Sequence, residues 1–387
     1  MTPKILPWLL LASSLAALPL QAQTMTDYDL LVGTYTQGSS KGIYRFAFDP
    51  RSGRIEPQAR QLVEIDNPSW LTLSNNQRYL FAVNENGPGQ RDQVGRVSSF
   101  SIEPGTHVLN FVNQVESKGD EPTHSSLSPD ERFLFVANYA VHPVPGGSLA
   151  VLPLDDMGNL GPVQQTSSGT PSRVDPERQQ SSHVHSATPT PDGRYLVAAD
   201  LGADALMVFP YNGASAAAPL SDARIVRLPP GSGPRHLAFD RAGRHAYLTL
   251  EMAGKVAVFD YQDGQFSQVQ LLDLTNPGSG QKNGGGGLHL SPDGRFLYVA
   301  NRGDANQLLV YAVDSSSGQL REVQRRSVEG REPREFSLDP TGHFMLIANQ
   351  KSDQIVTIKV DPETGLLGDT VQKLNLGAPS DFVFLTR

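Results

Sequence analysis

Residues Gly231 to Met252 read GSGPRHLAFDRAGRHAYLTLEM. A short apolar run, HLAF, leads into a turn at Asp240-Arg241-Ala242, and a second run, AYLTL, leads out to Glu251. The frame returns as GGGLHLSPDGRFLYVANRG (Gly285 to Gly303) and as EPREFSLDPTGHFMLIANQK (Glu332 to Lys351). Two apolar runs around a Pro/Asp/Gly turn predict a β-hairpin. The residues at its two ends change from copy to copy while the frame does not.

Equivalent turns occur at Ser74-Asn75-Asn76, Ser128-Pro129-Asp130, Thr190-Pro191-Asp192, Ser291-Pro292-Asp293 and Asp339-Pro340-Thr341. Their spacing is about fifty residues, the period of a propeller blade. After each hairpin a third run follows, such as KVAVFDY or QLLVYAV, and then a more variable fourth. Four antiparallel strands make one blade. Six units are complete. The segments YDLLVGTY, GIYRFAFD and RQLVEI near the N-terminus supply three strands of a seventh, and the C-terminal APSDFVFLTR supplies its missing first strand. The prediction is an all-β, seven-bladed propeller closed by the C-terminal strand joining the N-terminal blade. An open β-solenoid would leave that missing strand unexplained.

The composition agrees. The chain has 387 residues, with 36 glycines and 29 prolines, and no long stretch has helical periodicity. The net charge is −8. There is no basic run and no aromatic-basic patch, so nucleic acid is not an expected partner. The absence of cysteine removes thiol nucleophiles, iron–sulfur clusters and Cys-based zinc sites. The first residues, MTPKILPWLLLASSLAALPLQAQ, read as a secretory signal cut after Ala22. A bilayer span needs roughly 20 apolar residues, and this run is shorter and broken by Pro7 and Pro19. The expected organisation is signal 1–22 and propeller 23–387, with export to the periplasm and no membrane insertion after cleavage. The oligomeric state stays open between monomer and dimer.

In a blade the start of the first strand lies beside the end of the second. Both ends therefore face one rim of the ring, and the innermost strand faces the central channel. The entrances carry Trp70, His124, His183, His185, Arg235, His236, Gly287, Arg334 and Glu335. The exits carry Asn84, Glu85, Asn138, Asp200, Glu251, Asn301, Arg302, Asn349 and Gln350. Three arginines, Arg235, Arg302 and Arg334, around one funnel suit an anionic or oxygen-rich guest, or else each pairs with a carboxylate between blades. Glu251 reads as a general base on water, or as the ionic partner of Arg235. His183 and His185 share a strand face if alternation holds. Two imidazoles at that spacing can ligate a metal, but no third ligand lies nearby unless Asp200 or Glu251 reaches, so no metal and no cofactor are expected. The run NGGGG (Asn283 to Gly287) lets the chain pass close to the channel; it lacks the helix of a phosphate loop. NYAVHPVPGGS and GTPSRVDPERQQ read as insertions that wall or cover the mouth.

Together HSATPTPDGRYLVAADLGADAL, GSGPRHLAFDRAGRHAYLTLE, LSPDGRFLYVANRG, PREFSLDPTG and NQKSDQIVTIKV resemble the seven-bladed propeller lactonases. That family includes 6-phosphogluconolactonase and the carboxymuconate-cyclising enzymes. The ordered set His185, Arg235, Glu251 and Arg302 matches residues implicated in the cyclising enzymes' active site, and Arg334 falls in a shared Pro-Arg motif. Two departures lie at the mouth. Family members often carry an acid where this chain has Gly287, and many have His where it has Glu335.

The resemblance implies a hydrolase of a small sugar lactone, glucono-1,5-lactone in first place. Glu251 would act as base, Arg235 and Arg302 as oxyanion donors, and His185 as donor to the leaving alkoxide. Arg334, His183, His124, His236, Asp200, Asn138 and Gln350 would line the substrate. Alternatives are a 6-phosphogluconolactonase, a muconate-type lactonising enzyme, and a binding propeller without catalysis.

Overall fold

A computed structural model describes residues 28–386 apart from Val141, Pro143, Pro145 and Pro277. The expected signal therefore lies outside the described residues. The described residues form seven antiparallel sheets. Blades 2 to 7 begin with inner strands Pro68–Leu73, Pro122–Leu127, Val184–Pro189, Pro234–Phe239, Gly285–Leu290 and Pro333–Leu338. In blade 1 the inner strand is Pro379–Thr386, paired along Tyr28–Thr34 from the other end of the chain, so the ring is closed as the sequence predicts. Gly42–Asp49 lies next, with Arg54–Ile55 and Gln61–Glu64 both on its outer side. One short 3-10 turn, Gln350–Ser352, is the helical content among the described residues. None of those residues forms a helix long and apolar enough to cross a membrane.

Strand patterns follow burial. The second strands Phe133–Asn138, Phe296–Asn301 and Phe344–Asn349 are buried at every residue, because each is covered on both faces by neighbouring blades. The outer strand Leu367–Asn375 mixes exposed and half-buried residues after a buried Leu367. The core accordingly lies between blades: Tyr298 and Val310 of blade 6 pack in one cluster with Phe336 and Ile347 of blade 7. The recurrent Ser/Thr-Pro-Asp turn has a local cause. Ser128 Oγ donates to Asp130 Oδ1 at 2.7 Å and accepts the Phe133 N–H at 3.0 Å. Ser291 repeats both bonds with Asp293 and Phe296.

Every inner strand opens with a register shift. Its second and third residues together oppose one residue of the neighbouring strand, which is a β-bulge. Bulges break alternation and re-aim side chains. Here they turn Ser380, Ser69, Thr123, His185, Arg235, Gly286 and Arg334 out of the strict face sequence.

Candidate active site

The mouth is assembled from two sets of equivalent positions. One is the bulge residue of each inner strand. The other is the residue just after each second strand: Tyr35, Glu85, Tyr139, Leu201, Glu251, Arg302 and Gln350.

Glu251 is the hub. Its Oε2 lies 2.7 Å from Arg302 Nη2 and 3.2 Å from Arg235 Nε. Its Oε1 accepts from Arg178 Nη2 at 2.7 Å. Arg178 Nη2 also donates to the Tyr139 hydroxyl at 3.0 Å. His185 Nε2 stands 3.8 Å from Glu251 Oε2. Burial alone would raise the Glu251 carboxyl, but Arg302, then Arg235 and Arg178, outweigh it and hold it well below the usual carboxylate range. Burial, with Arg302 and Arg334 adding, brings Arg235 down to about 9. It remains a cation at neutral pH.

Arg334 belongs to a second knot. It lies 3.2 Å from Glu85 Oε1 and sits over the Tyr35 ring. Glu85 Oε2 accepts from Tyr35 at 2.8 Å and from Ser69 at 2.5 Å. Glu332 closes the set, 3.2 Å from Arg302 Nη1 and 3.4 Å from Lys351. Each of the three arginines thus has a carboxylate: Arg235 from its own blade, Arg302 from the preceding blade and Arg334 from blade 2, across the closing blade.

Four rings meet along the inner strands, and three of them, Trp70, His124 and His236, line a channel cavity of about 570 Å3. Trp70 and His124 lie 4.4 Å apart between centroids, His124 and His236 5.5 Å, and His236 and His185 5.2 Å. Burial, with Arg235 second, keeps His185 and His236 well below the ordinary imidazole value and His124 at about 3, so all three are neutral. The Nδ1 of His185 is buried without a hydrogen-bond partner.

Several sequence expectations change here. His183 stands just before the strand that carries His185, and both rings meet that of Tyr139, His185 edge-on at 5.6 Å between centroids. The His183 ring stacks on Tyr139, and its Nδ1 lies 2.8 Å from the Tyr139 carbonyl. Asn138 and Asp200 end their strands fully buried and bind backbone rather than the mouth. Asn138 Nδ2 donates to the Ser117 carbonyl at 3.1 Å, and Asp200 accepts the N–H groups of His183 and Gly169. Asn84, Asn301 and Asn349 make the same clasp with Asp66, Leu274 and Val328 carbonyls. Asp200 is therefore not a third ligand for the histidine pair. Gln350 opens the 3-10 turn, its backbone N–H on the Glu332 carbonyl, and touches none of the Glu251 knot.

The two departures share space. A Cβ on Gly287 would stand 2.1 Å from Glu335 Oε1. Glu335, on the next blade, accepts from His289 Nε2 at 2.8 Å. Sequence reasoning missed Arg178, Tyr139, Tyr35 and Glu332. Arg178 comes from the GTPSRVDPERQQ insertion, which does contribute to the wall of the mouth. A cavity of about 360 Å3 lies there, lined by Arg178, Glu251, Asn283, Arg302 and Glu332.

The family described as Lactonase, 7-bladed beta-propeller, matches residues 29–384. The chain belongs to this family. It is therefore an enzyme of the lactone-hydrolase class. A solved periplasmic gluconolactonase of Pseudomonas aeruginosa superposes with a TM-score of 0.90 at 51% identity, covering 93% of this chain and 99% of that one. A 6-phosphogluconolactonase of Bacillus subtilis is 32% identical over 346 residues, 89% of this chain and 94% of its own length. One from Formosa agariphila is 31% identical over 365 residues, 92% of this chain and 99% of its own.

Proposed function

We propose that this lactonase is a periplasmic gluconolactonase, hydrolysing glucono-1,5-lactone to gluconate. The observation that carries the choice of substrate is the charge balance of the mouth. Arg178, Arg235 and Arg302 surround Glu251, Arg302 also meets Glu332, and Arg334 is held by Glu85. A phosphate dianion would have to displace one of these carboxylates. A neutral sugar lactone only needs spare donors, and a guanidinium has five N–H groups.

In this reading the lactone carbonyl lies over Arg235 and Arg302. They stabilise the charge that develops on its oxygen when water adds. Glu251 fixes both guanidiniums in place and keeps them from repelling one another. A carboxylate held so far below its ordinary range is a weak proton acceptor, so Glu251 acts as counter-ion rather than as base. Neutral His185 contributes a hydrogen bond to a substrate oxygen. The apolar N-terminal run supports export, and the resemblance to the Pseudomonas aeruginosa periplasmic enzyme points the same way.

The names of the Bacillus and Formosa relatives favour a second reading, with the 6-phosphate as substrate. Measuring kcat/KM for glucono-1,5-lactone and its 6-phosphate at one pH, with spontaneous hydrolysis subtracted, decides between them. The expected result is a preference for the unphosphorylated lactone. Preference for the phosphate, or a reporter fused to residues 1–30 that stays in the cytoplasm, overturns the proposal.

A further inference from the structure

We infer that Glu332 sets the choice between neutral and phosphorylated lactones: its carboxylate fills the anion position between Arg302 and Lys351 and so keeps a sugar 6-phosphate out. The inference rests on the proposed hydrolysis of glucono-1,5-lactone and names the residue behind that preference.

Three acidic residues line the mouth cavity of about 360 Å3: Asp175, Glu251 and Glu332. Asp175 caps its own turn, accepting the N–H groups of Glu177 and Arg178. Glu251 sits among three arginines. Glu332 is held differently. Its Oε1 lies 3.2 Å from Arg302 Nη1 and its Oε2 3.4 Å from Lys351 Nζ, and the carboxylate has no other ionic or hydrogen-bonding partner among the described residues. An arginine and a lysine on either side of one anion make a phosphate-type site. Here the protein's own side chain occupies it. The Glu332 backbone is anchored independently: its N–H donates to Asn306 Oδ1 at 2.7 Å, and its carbonyl accepts the Gln350 N–H at 3.0 Å.

That position adjoins the chemistry. One guanidinium serves both carboxylates, with Arg302 Nη2 on Glu251 at 2.7 Å and Nη1 on Glu332. In glucono-1,5-lactone the ring oxygen of the ester joins C1 to C5, and C5 carries C6. A phosphate on C6 therefore stands within a few bonds of the carbonyl held by Arg235 and Arg302, and meets the other nitrogen of Arg302. The wall beside Arg302 has room for C6. A Cβ on Gly284 would come no nearer than 3.8 Å to Arg302 Nη2 and 3.9 Å to the Glu251 carbonyl oxygen, ordinary contact distances. A C6 hydroxyl can enter there and donate to the Glu332 carboxylate. A phosphate carries about −1.5 to −2 charge at pH 7 and is repelled by the same group. Discrimination of this kind comes from a repulsive element as much as from an attractive one.

The test compares kcat/KM for glucono-1,5-lactone and its 6-phosphate in wild type, Glu332→Gln and Glu332→Asp, with inhibition by inorganic phosphate as a second readout. In Glu332→Gln the phosphate-to-lactone ratio should rise about tenfold or more, equivalent to about 1.4 kcal/mol. The gain should come through a lower KM for the 6-phosphate, and inorganic phosphate should become a competitive inhibitor. Glu332→Asp keeps the charge and should keep the wild-type ratio. Adding Lys351→Gln to Glu332→Gln should reverse most of the gain, because the phosphate loses one of its two cations. A role in packing alone would lower both rates together and leave the ratio in place. A wild type that prefers the unphosphorylated lactone, with a ratio that Glu332→Gln does not move, overturns the inference alone. A ratio moved equally by Asp and Gln would reflect size rather than charge, and overturns it too. Should Glu332→Gln not fold, Lys351→Glu decides: a second carboxylate beside Arg302 should lower the ratio further, and an unchanged ratio overturns the inference. A wild type that prefers the 6-phosphate overturns the choice of substrate and the inference with it, and one inert toward both overturns the reaction itself.

Discussion

Glu251 and Arg302 come from neighbouring blades, occupy the same position after their second strands, and meet at 2.7 Å. One repeated place in the blade frame thus supplies both charges of the central pair. The pair is almost fully buried, and Arg235 beneath it more so. In such surroundings removing one partner costs far more than the pair contributes at a surface.

Replacing Glu251 by Gln should therefore lower stability as well as activity. Leaving Arg235 and Arg302 without their counter-ion should cost about 3–5 kcal/mol, read by urea denaturation, and kcat/KM should fall by about a hundredfold or more as the oxyanion donors lose their aim. The pH dependence has a definite sign. The folded carboxyl titrates below its unfolded value of about 4.3, so its contribution is complete above that pH and is lost as pH falls through the folded value. The stability gap between wild type and Glu251→Gln should be constant from pH 6 to 8 and shrink in acid. A gap that widens in acid would contradict this.

Arg178 reaches the same carboxylate from the insertion, with its side chain 42% exposed. Arg178→Ala should leave the melting temperature nearly unchanged, since exposed pairs contribute about 1 kcal/mol or less. Its effect should appear in catalysis, as a fall of about tenfold in kcat/KM, equivalent to about 1.4 kcal/mol. A large loss of stability with normal kinetics would assign Arg178 to the scaffold.

Gly287→Ala should destabilise the protein by about 1–3 kcal/mol, the usual effect of overpacking, because the new methyl meets the Glu335 carboxylate. In a Glu335→Ala background the same methyl should be tolerated. A double-mutant cycle with coupling below about 0.5 kcal/mol would show that the two positions do not share space.

Dialysis against a strong chelator should leave lactone turnover intact. No set of three potential ligands converges among the described residues, and the oxyanion chemistry proposed here uses guanidiniums. Activity lost on dialysis and restored by calcium or zinc would contradict it.

The blades were legible because burial and turn chemistry write themselves into the sequence. FLFVAN and FLYVAN are apolar because neighbouring blades cover both faces, and the Ser-Pro-Asp turns recur because the serine must bridge the same two groups. Glu251, Arg235 and Arg302 were legible as departures from that frame. Asn138 and Asp200 departed from it too, yet they serve the backbone. They stand one residue before the position that faces the mouth, and in a strand one residue is the difference between faces. Comparing the residue after each second strand would have brought out Tyr35 and Tyr139. Arg178 had no such signal, since its insertion lies outside the repeat.

The pairing of Tyr28 with Thr386 brings the two described ends of the chain side by side. The molecule is a linear polymer arranged as a loop, and its break falls between two hydrogen-bonded strands of blade 1 rather than at a gap in the ring. A circular permutant, joined by a short linker across that break and reopened at an exposed hairpin such as Asp314–Gly318, would keep every strand pairing and the whole of the mouth. The order of the blades along the chain would then be a matter of where the string is cut, while the identity of each blade's two mouth residues would stay with the blade.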